Sequence, residues 1–156
     1  MEWTLHTFEE LTVQQLYEIL MARNAIFVVE QECAYQEIDG HDPKSAHLTL
    51  KDGEELVAYA RLLPAGVKYP SPSIGRIIVN PAYRGSGQGR KLLEKSLDIM
   101  VNDWGAEEIK LQAQVYLRDF YHSFGFEETS AEYLDDGIPH VDMRMSVKKK
   151  AIKGSE

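Results

Sequence analysis

The chain has 156 residues, is 44% hydrophobic and carries a formal net charge of −8 at pH 7, so we expect one globular domain with a substantial core. The acidic balance argues against nucleic acid as a partner, since nonspecific binding to nucleic acid needs a basic face. The single cysteine, Cys33, excludes an intrachain disulfide, and no apolar run approaches membrane-spanning length, so we expect a cytoplasmic protein without a membrane partner.

The predicted elements follow the order β-α-α-β-β-β-α-β-α-β-β. Helices are predicted from apolar residues at helical spacing and from caps such as Thr12-x-x-Gln15, and strands from β-branched or alternating apolar runs. Asp52-Gly53 predicts a hairpin turn, and Gly105 a helix end. This order predicts an α/β fold with a mixed, mostly antiparallel central sheet and helices on both faces. The elements span residues 3–8, 12–23, 25–35, 46–51, 56–63, 74–79, 91–104, 108–115, 117–124, 127–131 and 140–147.

The most informative segment is a glycine-rich loop between the strand 74–79 and the helix 91–104. Glycines permit positive φ and a close approach of the backbone to a ligand. The first N–H groups of a helix have no intrahelical partner and lie at its positive dipole end, so such a turn binds phosphate. Arginine can add paired hydrogen bonds to phosphate at either end. The predicted phosphate-binding residues are Arg84, Gly85, Ser86, Gly87, Gln88, Gly89 and Arg90.

The spacing of this loop separates it from two common nucleotide-binding motifs. A nucleotide P-loop continues from Gly-Lys to Ser or Thr, whereas Leu92 stands at the corresponding position here. A dinucleotide-binding turn needs Gly-x-Gly-x-x-Gly, and the third glycine here comes one residue early. The pattern that fits is Arg/Gln-x-x-Gly-x-Gly, filled by Arg84, Gly87 and Gly89. An ordinary glycine-rich turn is the alternative, which the preceding Val79-Asn80-Pro81-x-Tyr83 run and the following helix disfavour.

This loop resembles the acetyl-CoA pyrophosphate loop of the GNAT N-acetyltransferase superfamily, and the predicted element order is also the GNAT order. Further blocks across about residues 1–147 resemble its bacterial ElaA-like branch. These blocks are Phe27-Val28-Val29-Glu30-Gln31 with Cys33 and Tyr35, Glu37-Ile38-Asp39, Ile74-Gly75-Arg76, Leu111-Gln112-Ala113-Gln114, Asp119-Phe120-Tyr121-x-Ser123-Phe124-Gly125-Phe126 and Tyr133-Leu134-Asp135-Asp136-Gly137-Ile138-Pro139-His140.

The resemblance implies a way of binding the rest of acetyl-CoA. In such proteins the strand before the loop splays from its neighbour, and the pantetheine arm pairs with the backbone in the gap, here at Ile77, Ile78 and Val79. An extended amide arm can replace a neighbouring strand in this way, and one backbone N–H can polarise the thioester carbonyl. Gln114 stands where the family often has asparagine, and its amide is expected to contact the cofactor.

The resemblance also implies a direct transfer of the acetyl group from acetyl-CoA to a primary amine in a ternary complex, without a metal. Tyr121 is expected to protonate the leaving thiolate, since a phenol holds its proton at neutral pH. A carboxylate or histidine must accept a proton from the amine. The candidates are Glu30, Glu37, Asp39 and His140, with His140 and Glu30 foremost; none of the motifs identifies the acceptor.

Other features of the chain give weaker indications. Cys33 in an acyl-enzyme and a metal held by His41, Asp42 and His47 are both disfavoured, because a lone cysteine in an apolar segment usually packs and these metal ligands lack convergent spacing. Residues 1–147 are assigned to one domain, and 148–156, rich in lysine, to a flexible basic tail. A CoA-binding regulatory module without turnover and a nucleotide-binding protein are the alternative functions, and the resemblance allows a homodimer.

Overall fold

A computed structural model of the chain describes residues 1–147; the predicted tail lies outside them. Among the described residues are three α-helices, α1 (Val13–Asn24), α2 (Gln88–Asp98) and α3 (Arg118–His122). Both α1 and α2 continue directly into a π-helical turn, Ala25–Glu30 and Ile99–Asp103 respectively. The strands are β1 (Glu2–Thr7), β2 (Ala46–Asp52), β3 (Glu55–Leu63), β4 (Ser73–Val79), β5 (Glu108–Gln114), β6 (Glu127–Glu128), β7 (Tyr133–Asp135) and β8 (Ile138–Ser146).

The strands form one mixed sheet in the order β1-β2-β3-β4-β5-β8-β6, with β7 paired to β8 outside this path. Neighbouring strands are antiparallel except β4 and β5, which run parallel. The predicted α/β class and mixed, mostly antiparallel sheet are confirmed. The hairpin predicted at Asp52-Gly53 joins β2 to β3, and Gly53 has the positive φ of 63° that such a turn requires.

Local signals explain where the helices begin and which face they bury. The capping box predicted for α1 is present, with the Thr12 side chain accepting from the backbone N–H of Gln15 and the Gln15 side chain accepting from that of Thr12. Helix α2 is amphipathic: Leu92 and Leu93 are buried, whereas Glu94 is exposed. Each helix is therefore held to the sheet by one apolar face.

The helices cover both faces of the sheet. A large apolar cluster joins β2–β5 and β8 to α2 and α3, and includes Leu92 and Tyr121. A smaller cluster joins α1 and its π-helical turn to β3 and β4, and includes Ile19, Tyr59 and Ile78. The sheet is thus the middle layer, with α1 on one face and α2 and α3 on the other.

The parallel pair at the centre of the sheet separates almost at once. The only register partners between β4 and β5 are Ser73 and Lys110, so the rest of β4 has no strand partner on that side. A β-bulge also interrupts the pairing of β3 with β4, and Arg76 within it has a φ of 49°. Strands β4 and β5 therefore diverge toward the glycine-rich loop.

Two stretches differ from the predictions. The helical piece predicted for 25–35 ends at Glu30, because the N–H of Cys33 bonds to the carbonyl of Val28 and Glu32 adopts a φ of 51°, which a helix cannot continue through. Near the carboxyl end, the strand predicted for 127–131 is only the short β6. The sequence reading also missed β7, which pairs with the first residues of β8 across a hairpin.

Candidate active site

The divergence of β4 from β5 opens into a cavity of about 150 Å³. Its walls come from both strands, from the segment after α1, from the loop between β3 and β4, and from the β7–β8 hairpin. A water needs only about 10–15 Å³ of such volume, so the cavity admits several waters or part of a small molecule. The lining includes the predicted site residues Ile77, Gln114, Tyr121 and His140.

The glycine-rich loop has the positive φ values that its glycines permit, but it is shorter than predicted, because the helix expected from residue 91 already begins at Gln88. Gly85 and Gly87 have φ values of 86° and 82°, a region that other L residues rarely adopt. Helix α2 begins at Gln88, and its N-cap, Gly87, provides no side chain to cap it. The first N–H groups of α2 therefore lack both an intrahelical partner and a side-chain cap.

Gln88 has a buried oxygen with no partner at this same turn. The residue is 6% exposed, and its Nε2 approaches the Ser86 hydroxyl at 3.4 Å. Its Oε1 has no hydrogen-bond partner among the described residues. Since buried polar atoms are nearly always hydrogen-bonded, the start of α2 lacks part of its hydrogen bonding in the isolated chain.

The two arginines that bracket the loop both have protein partners. The guanidinium of Arg84 donates to both carboxylate oxygens of Glu30, at 2.7 and 3.0 Å. Arg90 donates to the Ser123 hydroxyl at 2.8 Å and lies 4.5 Å from the centroid of the Phe124 ring. Arg84 is thus tied to the turn that follows α1, and Arg90 to α3.

Glu30 does not line the cavity. Its hydrogen bonds from Arg84 lower the pKa of its carboxyl group below the ordinary value. A carboxylate with a lowered pKa is a weaker proton acceptor. The geometry therefore favours a role for Glu30 in fixing Arg84 over the predicted role of general base.

Tyr121 projects from α3 toward the cavity that it lines. It is 6% exposed, and its ring packs edge-on against Phe120 and Phe126. Burial raises the pKa of its hydroxyl to about 12, and that hydroxyl has no hydrogen-bond partner among residues 1–147. The phenol therefore stays protonated at neutral pH and has its proton free to donate.

His140 lies on β8, opposite Gln114 of β5 in the register. Its Nδ1 is 2.8 Å from the carbonyl oxygen of Ile138. A carbonyl only accepts, so Nδ1 carries the hydrogen, and in the neutral ring Nε2 keeps its lone pair. Nε2 has no partner within the described part of the chain, which leaves it able to accept a proton in the cavity.

The predicted cofactor-binding strand combines core side chains with a free backbone edge. The Ile78 side chain is buried in the smaller cluster, and those of Ile77 and Val79 pack against the larger one. The backbone of these residues has no register partner in β5. Gln114, at the end of β5, donates from Nε2 to the Gln31 side-chain oxygen at 3.4 Å, so its amide lies at the cavity wall.

Beside the cavity lies a group of mostly buried, ion-paired charges, here called the arginine cluster, which the sequence analysis did not predict as a unit. Arg23 bonds Glu37 and Asp42 at 2.9 and 2.8 Å. Every guanidinium in it is paired with at least one carboxylate, and Arg23 is 0% exposed. One signal was available, because Arg23 recurs with the apolar residues of α1 at helical spacing. The cluster consists of Arg23, Glu37, Asp39, Asp42, Arg61 and Arg76.

The arginine cluster changes the interpretation of several sequence candidates. Burial opposes ionisation of Asp39, but hydrogen bonds from Arg61 and from the His41 backbone outweigh it and lower the pKa of that carboxyl group. Asp39 is therefore occupied as an ion-pair partner, as is Glu37. His47, weighed as a metal ligand, bonds the Tyr59 hydroxyl at 2.7 Å.

The comparison with known proteins decides the family. A family model described as an acetyltransferase (GNAT) domain matches residues 9–147. The chain is 43% identical over 148 residues to Protein ElaA of Escherichia coli strain K12, an alignment that covers 94% of this chain and 97% of that protein. The chain belongs to the GNAT acetyltransferase family.

Solved structures place this GNAT protein beside the ElaA-like branch. The crystal structure of Escherichia coli ElaA matches with a TM-score of 0.87 and 41% identity, covering 93% of this chain and 99% of that one. An acyl-CoA N-acyltransferase from Pseudomonas aeruginosa matches with a TM-score of 0.88 and 36% identity, covering 94% and 100%. The resemblance seen in the sequence is confirmed, and family membership supports acyl transfer as the activity.

Residues 1–147 of this GNAT domain contain neither a metal-binding group of side chains nor a membrane-spanning helix. No group of three or more His, Cys, Asp or Glu side chains in this range is arranged to hold a metal ion. None of its helices is both long enough and apolar enough to cross a lipid bilayer.

Proposed function

We propose that this GNAT protein is an N-acetyltransferase that moves an acetyl group from acetyl-CoA to a primary amine by direct attack in a ternary complex. The observation that carries the proposal is the gap between β4 and β5. It leads from the cavity with Tyr121 and His140 toward the uncapped start of α2. The unpaired edge of β4 thus connects a turn suited to phosphate with Tyr121 and His140, which can donate and accept protons.

The residues present fit coenzyme A. The backbone N–H groups of Gly87, Gln88 and Gly89 would hold the pyrophosphate, since a helix start without a cap favours an anion. Arg84 and Arg90 would add positive charge there. The β4 backbone at 77–79 has no strand partner in β5, so it would pair with the pantetheine amides as a missing strand does.

The chain's own residues would carry the proton transfers. Acetyl-CoA supplies a thioester whose acetyl carbon accepts the amine nitrogen as the carbon–sulfur bond breaks. His140 accepts a proton from the amine at Nε2, through water or directly, because an alkylamine is protonated at neutral pH. Tyr121 would donate its proton to the departing sulfur and recover one from the nitrogen as the amide forms, and a backbone N–H of β4 would donate a hydrogen bond to the carbonyl oxygen.

Replacement of Tyr121 tests the chemistry separately from binding. We expect Tyr121→Phe to lower kcat about 100-fold, the lower end of what a general acid contributes, while calorimetry gives an unchanged Kd for CoA. Tyr116→Phe is the matched control, since it removes a hydroxyl from an exposed tyrosine just before α3. An unchanged kcat for Tyr121→Phe, with chemistry shown to limit turnover, would remove Tyr121 from the mechanism.

A screen of amines separates this proposal from its main alternative. Binding of CoA without acetylation of any amine in a broad panel would favour a CoA-binding regulatory module.

We also propose a cytoplasmic location and a homodimer, for which cell fractionation and sedimentation are the tests. The exposed apolar side chains of Val13, Tyr17 and Met21 on α1 are consistent with a contact between copies.

A further inference from the structure

Three buried polar atoms at the cavity have no hydrogen-bond partner among the described residues: Nε of Arg61, Nε of Arg76 and the hydroxyl of Ser73. Arg76 Nε forms an ion pair with Glu37, which leaves Arg61 Nε and the Ser73 hydroxyl to be explained. Arg61 is 1% exposed and Ser73 is 2% exposed, and both residues line the cavity. Buried polar atoms without a partner are rare in native proteins and call for an explanation such as a bound group. These two come from neighbouring strands, β3 and β4.

Gly75 adds no side chain to the cavity wall beside Arg61. It is the register partner of Arg61, and directly opposed residues place their side chains on the same face of a sheet. Gly75 does not have a positive φ, and an added Cβ would meet only the Leu63 side chain, at 4.0 Å. Neither the backbone nor a clash requires glycine here, and the absence of a side chain leaves room in the cavity wall next to Arg61.

Lys68, on the loop between β3 and β4, adds an unmatched positive charge to this part of the lining. Its Nζ donates to the Gln112 side-chain oxygen at 2.7 Å, and no carboxylate of residues 1–147 lies within ion-pair distance of it. Burial and the charges of Arg76 and Arg61 lower its pKa, with Asp39 and Asp135 opposing them. The guanidinium groups of both arginines already have carboxylate partners, so Lys68 is the cation of this part of the lining that forms no ion pair.

The chemistry of these atoms limits what can occupy them. Arginine Nε only donates, so its missing partner must be a hydrogen-bond acceptor and cannot be an ammonium group. A hydroxyl can donate to the same acceptor, and the charge of Lys68 favours an anion over a neutral carbonyl. A carboxylate satisfies all three groups, because it presents two oxygens that only accept.

We propose that Arg61, Lys68 and Ser73 form a carboxylate subsite, and that the acceptor is a small amine carrying a carboxylate, of the amino-acid class. The identity of the acceptor rests on the proposed function, whereas the subsite itself does not. Asp135 and Asp136 line the same cavity, and their carboxylates have no partner among the described residues. They complement the ammonium group that such a zwitterion carries before it loses its proton.

Two comparisons test the subsite during turnover: acceptors with and without a carboxylate, and variants of two neighbouring lysines. We would measure kcat/KM for a panel of amino acids and for the corresponding amino-acid amides. In Lys68→Gln the preference for acid over amide should fall at least about tenfold, since a hydrogen bond to a charged group is worth at least that. Lys110→Gln is the control: Lys110 and Lys68 lie 5.6 and 5.5 Å from the centroid of the same Tyr69 ring, but Lys110 does not line the cavity.

A binding measurement makes the test independent of activity. N-Acetylglycine and N-acetylglycinamide would be titrated into the CoA-saturated protein and followed by NMR. The acid should bind at least about tenfold more tightly, and this preference should fall in Lys68→Gln and in Ser73→Ala, a change that suits a buried strand. Folding of each variant would be checked by its thermal melting curve.

The outcomes separate the two proposals. Equal binding of both probes, binding of neither, or a crystal structure with only water at Arg61 Nε would overturn the subsite. Equal transfer to acids and amides would also overturn it and leave the acetyltransferase standing. A carboxylate preference in binding, together with no acetylation of any amine, would retain the subsite and reject the proposed function.

Discussion

The arginine cluster and the glycine-rich loop both contain many polar groups, but they differ in how many of those groups have a partner within the chain. In the arginine cluster every guanidinium has a carboxylate partner and Arg23 is fully buried; the exception within it is Arg61 Nε, which faces no hydrogen-bond acceptor among the described residues. In the loop, the start of α2 has no side-chain cap, and Gln88 Oε1 has no partner among residues 1–147. Groups satisfied within the chain contribute to the fold, whereas groups left unsatisfied at a cavity or turn are available to a ligand.

The largest effect expected from this contrast is on stability. Arg23→Met removes the shared partner of Glu37 and Asp42 and leaves buried charge uncompensated, so the free energy of unfolding should fall by about 3–5 kcal/mol. Arg84→Met is the control, because it breaks an exposed pair with Glu30 and should cost less than about 1 kcal/mol. Urea unfolding measures both, and similar losses would contradict the contrast.

The second effect is on the response of the arginine cluster to acid. Hydrogen bonds and charges from Arg23 and Arg61 lower the pKa of Asp42 against the opposing effect of burial, and the pKa of Asp39 is lowered as well. A lowered pKa in the folded state gives stability that is present above the unfolded value and lost as the pH falls through the folded one.

We therefore expect full stability above about pH 5, and a decline below about pH 4 of up to about 1.4 kcal/mol per pH unit for each carboxylate. Asp39→Asn should be less stable than the parent chain at pH 7 and should show a shallower decline. Urea unfolding between neutral and acidic pH is the measurement. A parallel decline in both proteins would show that Asp39 contributes nothing to the acid response.

The third effect is on ligand binding by the loop. Gly87→Ala places a Cβ at a φ of 82°, which costs about 1–2 kcal/mol and should shift the turn, weakening CoA binding about tenfold. Gly53→Ala is the control, since Gly53 also has a positive φ, and an added Cβ at either glycine would meet nothing within 4 Å. Both should lose similar stability, but only Gly87→Ala should lose affinity in calorimetry; equal affinities would separate the loop from CoA.

The smallest effect concerns the ion pair at the rim of the loop. Glu30→Gln releases Arg84 from its carboxylate partner, and an exposed pair is worth less than about 1 kcal/mol, so CoA affinity should rise by up to about fivefold at low salt. Glu94→Gln removes the same charge from an exposed position of α2 and should leave affinity unchanged. A fall in turnover with unchanged affinity for Glu30→Gln would instead restore Glu30 as the general base.

Local patterns in the sequence predicted the parts of the structure that local interactions determine. The capping box of α1, the Asp52-Gly53 hairpin and the amphipathic α2 follow from side chains close together in the chain. The positive φ values of Gly85 and Gly87 follow from glycine itself. The turn at Gly85 and Gly87 was therefore predictable, although α2 begins at Gln88, three residues before the predicted start.

The remaining features depend on contacts between distant segments. The arginine cluster joins α1, the segment after it, β3 and β4, and no short-range pattern records such a pairing. Strand β7 is too short for a periodic signal and forms because β8 provides a partner. The helix predicted to Tyr35 ends at Glu30, because Glu32 takes a left-handed conformation and the chain then turns toward the arginine cluster and the cavity.

Titration of CoA into the protein, followed by a crystal structure of the complex, tests the central claim most directly. We predict that the pyrophosphate lies against the backbone N–H groups of residues 85–89 and that the pantetheine arm lies between β4 and β5. We also predict that its sulfur lies within reach of the Tyr121 hydroxyl. Absence of binding by calorimetry, or CoA seated away from the start of α2, would contradict the account.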